Sequence, residues 1–140
     1  NLEVSDIKMY VDSPGGSVKS GLSMVDVMNY IESDIVTVNT GMAASMGSIL
    51  LGNGTKGKRF ALPNSRVMLH QVSGGAQGHV KDMKISIAEA EKYNQNLFGM
   101  LADYTDKDIK TVLEDCERDN WLNAKEAKAY GIIDDIITKK

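Results

Sequence analysis

A serine, a histidine and an aspartate stand far apart in this 140-residue chain, at Ser45, His70 and Asp119. Together they could carry out nucleophilic acyl transfer. A serine hydroxyl is a weak nucleophile at neutral pH and needs a positioned base. Ser45 lies in Thr40-Gly41-Met42-Ala43-Ala44-Ser45-Met46-Gly47-Ser48, where small residues let the backbone turn sharply and let a ligand come close. Serine at such a joint commonly does no more than cap a helix, so the stretch alone leaves both roles open. His70 ends the apolar run Val67-Met68-Leu69, a rigid place for a base, whereas His79 sits in a glycine-rich, charged stretch and reads as solvated. A carboxylate that fixes the imidazole tautomer would complete the set. Asp119 lies where a helix gives way to a loop in Cys116-Glu117-Arg118-Asp119-Asn120-Trp121, with Asp115 and Glu117 as rivals on a helix face. The tetrahedral intermediate also needs N–H donors. The two glycine-rich turns offer the amides of Gly16 and Met46.

The elements that must position these groups follow from the hydrophobic pattern. Ile7–Asp12 alternates as a strand, Ser13-Pro14-Gly15-Gly16-Ser17 turns the chain, and Leu22, Val25 and Met28 mark a helix over Val18–Ile31. The β-branched run at 35–39 predicts the next strand, which makes a βαβ unit with a right-handed crossover. Its two glycine-rich turns then lie at the carboxyl edge of one parallel sheet, where open α/β sheets bind ligands. Arg59–Leu62 and Arg66–Leu69 read as short strands. Val80, Met83, Ile87, Ala90, Leu97, Leu101 and Tyr104 place one stripe on a helix from Val80 to Tyr104. At roughly 37 Å by the 1.5 Å rise per residue, that helix overhangs a domain of this size and is expected to pack on a partner subunit. Thr105-Asp106-Lys107-Asp108 reads as a cap that opens a further helix through Val112-Leu113 to about Glu117. Asn123-Ala124-Lys125-Glu126 is a capping box for Ala124–Tyr130, which Gly131 ends, and Ile132–Ile137 reads as a last strand.

Composition narrows the function classes. With 42% hydrophobic and 25% charged residues and a net charge of -3, the chain reads as one ordinary soluble domain over residues 1–140 with no basic field for nucleic acid. No apolar run nears the ~20 residues of a membrane helix, and no signal peptide leads the chain. The first residue, Asn1, is not Met, which reads as processing or a fragment. One cysteine and two histidines give no zinc pattern and no internal disulfide, which suits a reducing, cytoplasmic location. Neither GxxxxGK[ST] nor a helix-opening GxGxxG is present, so no bound nucleotide or other cofactor is expected.

Four motifs occur together in one order: Ser13-Pro14-Gly15-Gly16-Ser17, Gly41–Gly47, Leu62-Pro63-Asn64-Ser65-Arg66-Val67-Met68-Leu69-His70-Gln71, and Glu117-Arg118-Asp119-Asn120. Gly57-Lys58-Arg59-Phe60 and the run from Ala124 to Asp134 join them. In these the chain resembles the proteolytic-subunit (ClpP) family of the ATP-dependent Clp protease over essentially its whole length. The resemblance implies a serine endopeptidase with Ser45 as nucleophile, His70 as general base and Asp119 as third member of the triad, and the amides of Gly16 and Met46 as oxyanion hole. It implies a crotonase-like α/β spiral of βαβ units with a projecting handle helix. It also implies rings of seven subunits stacked in pairs around a chamber, interlocked through the long helix and a Gly74–Gly78 strand. Gly74 and Gly75 would bind substrate peptide as an added strand. A Clp-family ATP-driven unfoldase would supply unfolded polypeptide; any ATP would be used there. The family's N-terminal portion is absent from the sequence, Val72 stands in place of the family's usual proline, and Trp121 replaces a smaller aromatic. Two other readings share the fold. A crotonase-type acyl-CoA enzyme would need backbone amides and acidic residues but no Ser/His/Asp set, and a structural ring subunit would leave catalysis to a paralogue.

Overall fold

The computed structural model describes residues 4–139. Strand β1 (Ile7–Ser13), helix α1 (Val18–Tyr30) and strand β2 (Ile35–Ala44) form the expected βαβ unit. α1 starts where the Ser17 hydroxyl accepts the Ser20 N–H at 3.3 Å, a side-chain cap. β1 runs parallel to β2 from Ile7 opposite Ile35 to Ser13 opposite Ala43, with an irregularity between Val11 and Ser13.

β2 organises the sheet. It continues past the expected 35–39 run to Ala44, through glycine and alanine that disfavour strands, because backbone pairing holds it on both sides. One edge belongs to β1. The other is shared in succession by β3 (Arg59–Ala61) against Thr37–Asn39 and β4 (Arg66–Leu69) against Met42–Ala44. Asn39 stands at the handover. Fully buried, it donates from Nδ2 to the Arg66 carbonyl at 2.9 Å and accepts the Gly41 N–H at 3.2 Å. Side-chain amide groups thus replace the ladder bonds that are lost where one partner strand ends and the next begins. The sheet curls at this point, and β4 is carried toward the end of β2.

Helix α2 (Met46–Gly52) follows β2 directly, and Gly21 of α1 leaves the room into which the Met46 side chain packs. Helix α3 (Val80–Thr105) is 26 residues long, about 39 Å. Its buried residues, Leu97, Phe98, Leu101 and Thr105, all lie in the C-terminal half, while Val80, Ile85 and Ile87 are exposed. The stripe predicted over the whole helix is therefore covered along only half of it. Asp106, at φ 54°, ends α3, and Asp108 caps α4 (Ile109–Asp115), two residues shorter than its expected reach to Glu117.

Two expectations are corrected at the end of the chain. Asn120–Asn123 is not a loop but β5, antiparallel to β4, and it pairs Leu69 with Asn120 and Met68 with Trp121. Trp121 is exposed, with the Arg66 guanidinium 6.0 Å from its ring centre. The expected strand 132–137 shrinks to β6, Asp135–Ile136. Helix α5 (Ala124–Tyr130) starts with the expected capping box and ends at Gly131, φ 99°. There the Gly131 N–H reaches Lys128 O and the Ile132 N–H reaches Ala127 O, both at 3.1 Å, a Schellman turn. It drops Ile132 and Ile133 into the core as irregular chain. The core gathers Val25, Ile49, Leu51, Val67, Leu69 and Val112 between sheet and helices.

Candidate active site

Ser45 sits between β2 and α2 with φ 55° and ψ -119°, a backbone conformation that costs a side-chain-bearing residue about 1–3 kcal/mol. Its neighbours impose that conformation. The Ser45 N–H donates to the Met68 carbonyl of β4 at 2.9 Å, and the Ser45 carbonyl accepts both the N–H of Ser48, at 3.0 Å, and its hydroxyl, at 2.6 Å. Gly15, φ 100°, supplies the space: a Cβ there would lie 2.8 Å from Ser45 Cβ and 2.9 Å from Ala44 O. The Ser45 hydroxyl makes no capping bond to the helix it precedes and has no hydrogen-bond partner among the described residues, yet Ser45 is not exposed. Because no buried side-chain N or O is left unpaired among the described residues, Ser45 Oγ reaches solvent. Capping, the commoner role for serine at a helix start, does not account for this hydroxyl. A sharp strand-to-helix turn that presents an unoccupied Oγ is the geometry of a nucleophile elbow.

The register of the sheet brings the base to the same corner. Met68, which accepts the Ser45 N–H, lies two residues before His70. β5 and the turn before it bring Asp119 alongside, and His70 Nδ1 lies 3.3 Å from Asp119 Oδ1. Asp115 hydrogen-bonds the Tyr130 hydroxyl at 2.9 Å. Glu117 meets this region through its carbonyl, which accepts from Gln71 Nε2 at 3.4 Å. Of the three acidic candidates, Asp119 is the one whose carboxylate meets the imidazole. The side chains of His70 and Asp119 are 20% and 66% exposed, so in the single chain water screens the pair and the contact orients the ring more than it stabilises the fold. No hydrogen bond joins Ser45 to His70 among the described residues; such contacts often tighten only around substrate.

The expected donors lie in one concavity. Gly16 and Met46 line a cavity of about 180 Å³ together with Ser13, Gly15 and Gly47, and neither amide donates a hydrogen bond among the described residues. His70 and Asp119 line a larger cleft, about 730 Å³, with Gln71, Val72 and Gly74. Gly74 thus lines the same cleft as the imidazole, and with Gly75 it also lines a neighbouring cavity that Met83 and Ile87 of α3 border. The Gly74–Gly78 stretch expected as a strand has no strand structure. Its glycines resist ordering, and among the described residues they make no backbone hydrogen bond to the rest of the chain. The cysteine is no rival nucleophile. Burial, with the Asp115 charge adding, pushes the Cys116 thiol up to about 12, which keeps it protonated and inert.

Two contributors were hidden in the sequence. Gly15, and not Gly16 alone, is fitted to the site, because it lies against Ser45. Asn94 of α3 accepts the Val72 N–H at 2.6 Å. Its signal was available: Asn94 falls on the stripe of Leu97, Phe98 and Leu101, a polar residue in register with an apolar face.

A family model described as Clp protease matches residues 1–140, and the chain belongs to the Clp protease family. Its curled α/β architecture fits that family. Three curated relatives, from two strains of Bacteroides fragilis and from Bacteroides thetaiotaomicron, carry the name ATP-dependent Clp protease proteolytic subunit. Each is 50% identical over 135 residues, 96% of this chain. The chain spans 65% of the length of one of them and 61% of the other two.

Proposed function

We propose that this chain is the catalytic part of a serine endopeptidase that hydrolyses peptide bonds in unfolded polypeptides and short peptides. The observation that carries the reading is the strained, uncapped Ser45, tied through its N–H to Met68 two residues before an imidazole that is itself paired with Asp119. Ser45 Oγ attacks the scissile carbonyl and gives its proton to His70 Nε2, while Asp119 holds the Nδ1–H and steadies the imidazolium. The oxyanion is received by the N–H groups of Gly16 and Met46. His70 then protonates the leaving amine, and water, deprotonated by the same imidazole, releases the acyl group from Ser45. The substrate backbone lies extended beside Gly74 and Gly75, its amides pairing with theirs.

This chemistry needs no metal or cofactor on the chain. Among the described residues no cluster of three or more His, Cys, Asp or Glu could hold a metal ion, and no helix is long and apolar enough to cross a membrane. The assembly we propose is a two-ring homo-oligomer in the cytoplasm, fed with unfolded chains by an ATP-driven Clp-family unfoldase. The half-uncovered α3 provides a surface for a neighbouring subunit. The test is turnover of a short fluorogenic peptide beside turnover of an acyl-CoA thioester. Peptide hydrolysis without thioester hydrolysis is the expected result; thioester turnover with no peptidase activity overturns the reading.

A further inference from the structure

His70 is the last residue before the chain leaves the sheet, and the segment beyond it has little of its own to hold it. Residues 73–78 lie outside helix and strand and, among the described residues, make no backbone hydrogen bond to the rest of the chain. Between the base and that stretch stand two residues, each tied to a different element. The Gln71 N–H donates to the Cys116 carbonyl at 3.0 Å, on the same turn that carries Asp119. The Val72 N–H donates to Asn94 Oδ1 of α3 at 2.6 Å. Of the asparagine's polar atoms only Oδ1 can accept that proton, and the stripe that seats Leu97, Phe98 and Leu101 in the core fixes where Asn94 points.

We propose that Asn94 is a positioning residue for the general base: by holding Val72 it closes the segment 70–72 on the side facing α3, so that the His70 ring stays against Asp119 and facing Ser45. The inference rests on the peptidase reading. Without the Asn94 bond the last backbone hydrogen bond before residues 73–78 is that of Gln71, one residue past the imidazole, and only the packing of the Val72 side chain against the core is left beyond it. Small misplacements of a catalytic group cost rate out of proportion to the stability they cost, about 100-fold for an error near 1 Å.

The experiment compares Asn94→Leu, Asn94→Asp, Val72→Pro and the double variant Val72→Pro/Asn94→Leu in the peptide assay, with hydrogen exchange at the Val72 amide read in parallel. Leucine fills the space and removes the acceptor; aspartate keeps it. Asn94→Leu is expected to lower kcat about 10- to 100-fold with KM little changed and to expose the Val72 amide to exchange. Asn94→Asp should keep most of the activity and the protection. Proline has no N–H to offer, so in the Val72→Pro chain Asn94→Leu should lose nothing further. If Val72→Pro does not fold, the contrast of leucine with aspartate at 94 carries the test. An active wild type with an unimpaired Asn94→Leu overturns the proposal, as does an equal loss with and without the Val72 N–H, which would mark a merely structural role. An inert wild type overturns the peptidase reading instead. The exchange rate then judges the tether separately, and an unprotected Val72 amide in the wild type removes it.

Discussion

Alanine at Ser45 is expected to lower peptide turnover on the order of 10⁶-fold, because nucleophile and base act as one unit and losing either costs about as much as losing both. The Ala variant keeps the turn, the Met46 amide and the His70–Asp119 contact, so the loss falls on kcat. Stability offers a second reading of the same residue. Ser45 is held at φ 55° by the Met68 carbonyl on one side and by Ser48 on the other, and alanine inherits that strain. Glycine relieves it. Ser45→Gly should therefore be as inactive as Ser45→Ala yet more stable in chemical denaturation by about 1 kcal/mol. A residue that strains the fold and is repaid only in chemistry is the signature of a functional site. Equal stability of the two variants, or an activity loss below about 100-fold in either, would contradict this account of the turn.

Asp134→Ala should destabilise the fold by about 3–5 kcal/mol, the usual result of stripping one partner from a buried ion pair. Arg59 is only 4% exposed. It reaches Asp134 from Nε at 3.0 Å and Nη2 at 2.8 Å, and Nη1 reaches the Gly52 and Tyr104 carbonyls at 3.2 and 3.0 Å. The Asp134 carboxylate also accepts the Gly57 and Arg59 N–H groups, at 2.7 and 3.1 Å. One guanidinium therefore ties β3 to the ends of α2 and α3, and its charge has no water to fall back on. Burial pushes the Asp134 carboxyl up, but the hydrogen bonds and charge of Arg59, with the Gly57 N–H, outweigh it and hold the group below its ordinary value. A carboxyl depressed in the folded state stabilises the fold above its unfolded pKa and loses that contribution as pH falls through the folded one. The gap between wild type and Asp134→Ala, measured by denaturation across pH, should be constant near neutrality and narrow below about pH 4. A gap under about 1 kcal/mol, within the range of exposed pairs, or one that widens in acid, would refute it.

The sequence was most legible where one local signal decides the structure. The capping box at Asn123 and Glu126, the αL end at Gly131 and the Arg66–Leu69 strand all appear where their residues place them. It was least legible where pairing decides. Nothing within Asn120–Asn123 announces a strand, since four residues with one buried side chain show no period; its partner β4 makes it one. The reach of β2 through Gly41–Ala44 comes likewise from strands on both of its edges. The long helix could be read, but the stripe could not say which half of it the same chain covers. At the site, residue types and order suggested Ser45, His70 and Asp119. Spacing alone left Asp115 and Glu117 as rivals of Asp119, which only the family resemblance singled out, because all three lie near one helix end; in the fold the Asp119 carboxylate is the one that meets the ring. The strain at Ser45 and the anchor at Asn39 are properties of the fold around each residue, and no spacing rule carries them, whereas the stripe on α3 marks the position of Asn94 but not the amide it holds.

The most direct measurement is mass-spectrometric mapping of the adduct left by an active-serine fluorophosphonate. A single phosphonylated residue, Ser45, with labelling abolished in Ser45→Ala and strongly slowed in His70→Ala, is the expected result. Adduct on another serine, or labelling that persists when Ser45 is alanine, would contradict the claim that this strained hydroxyl is the nucleophile.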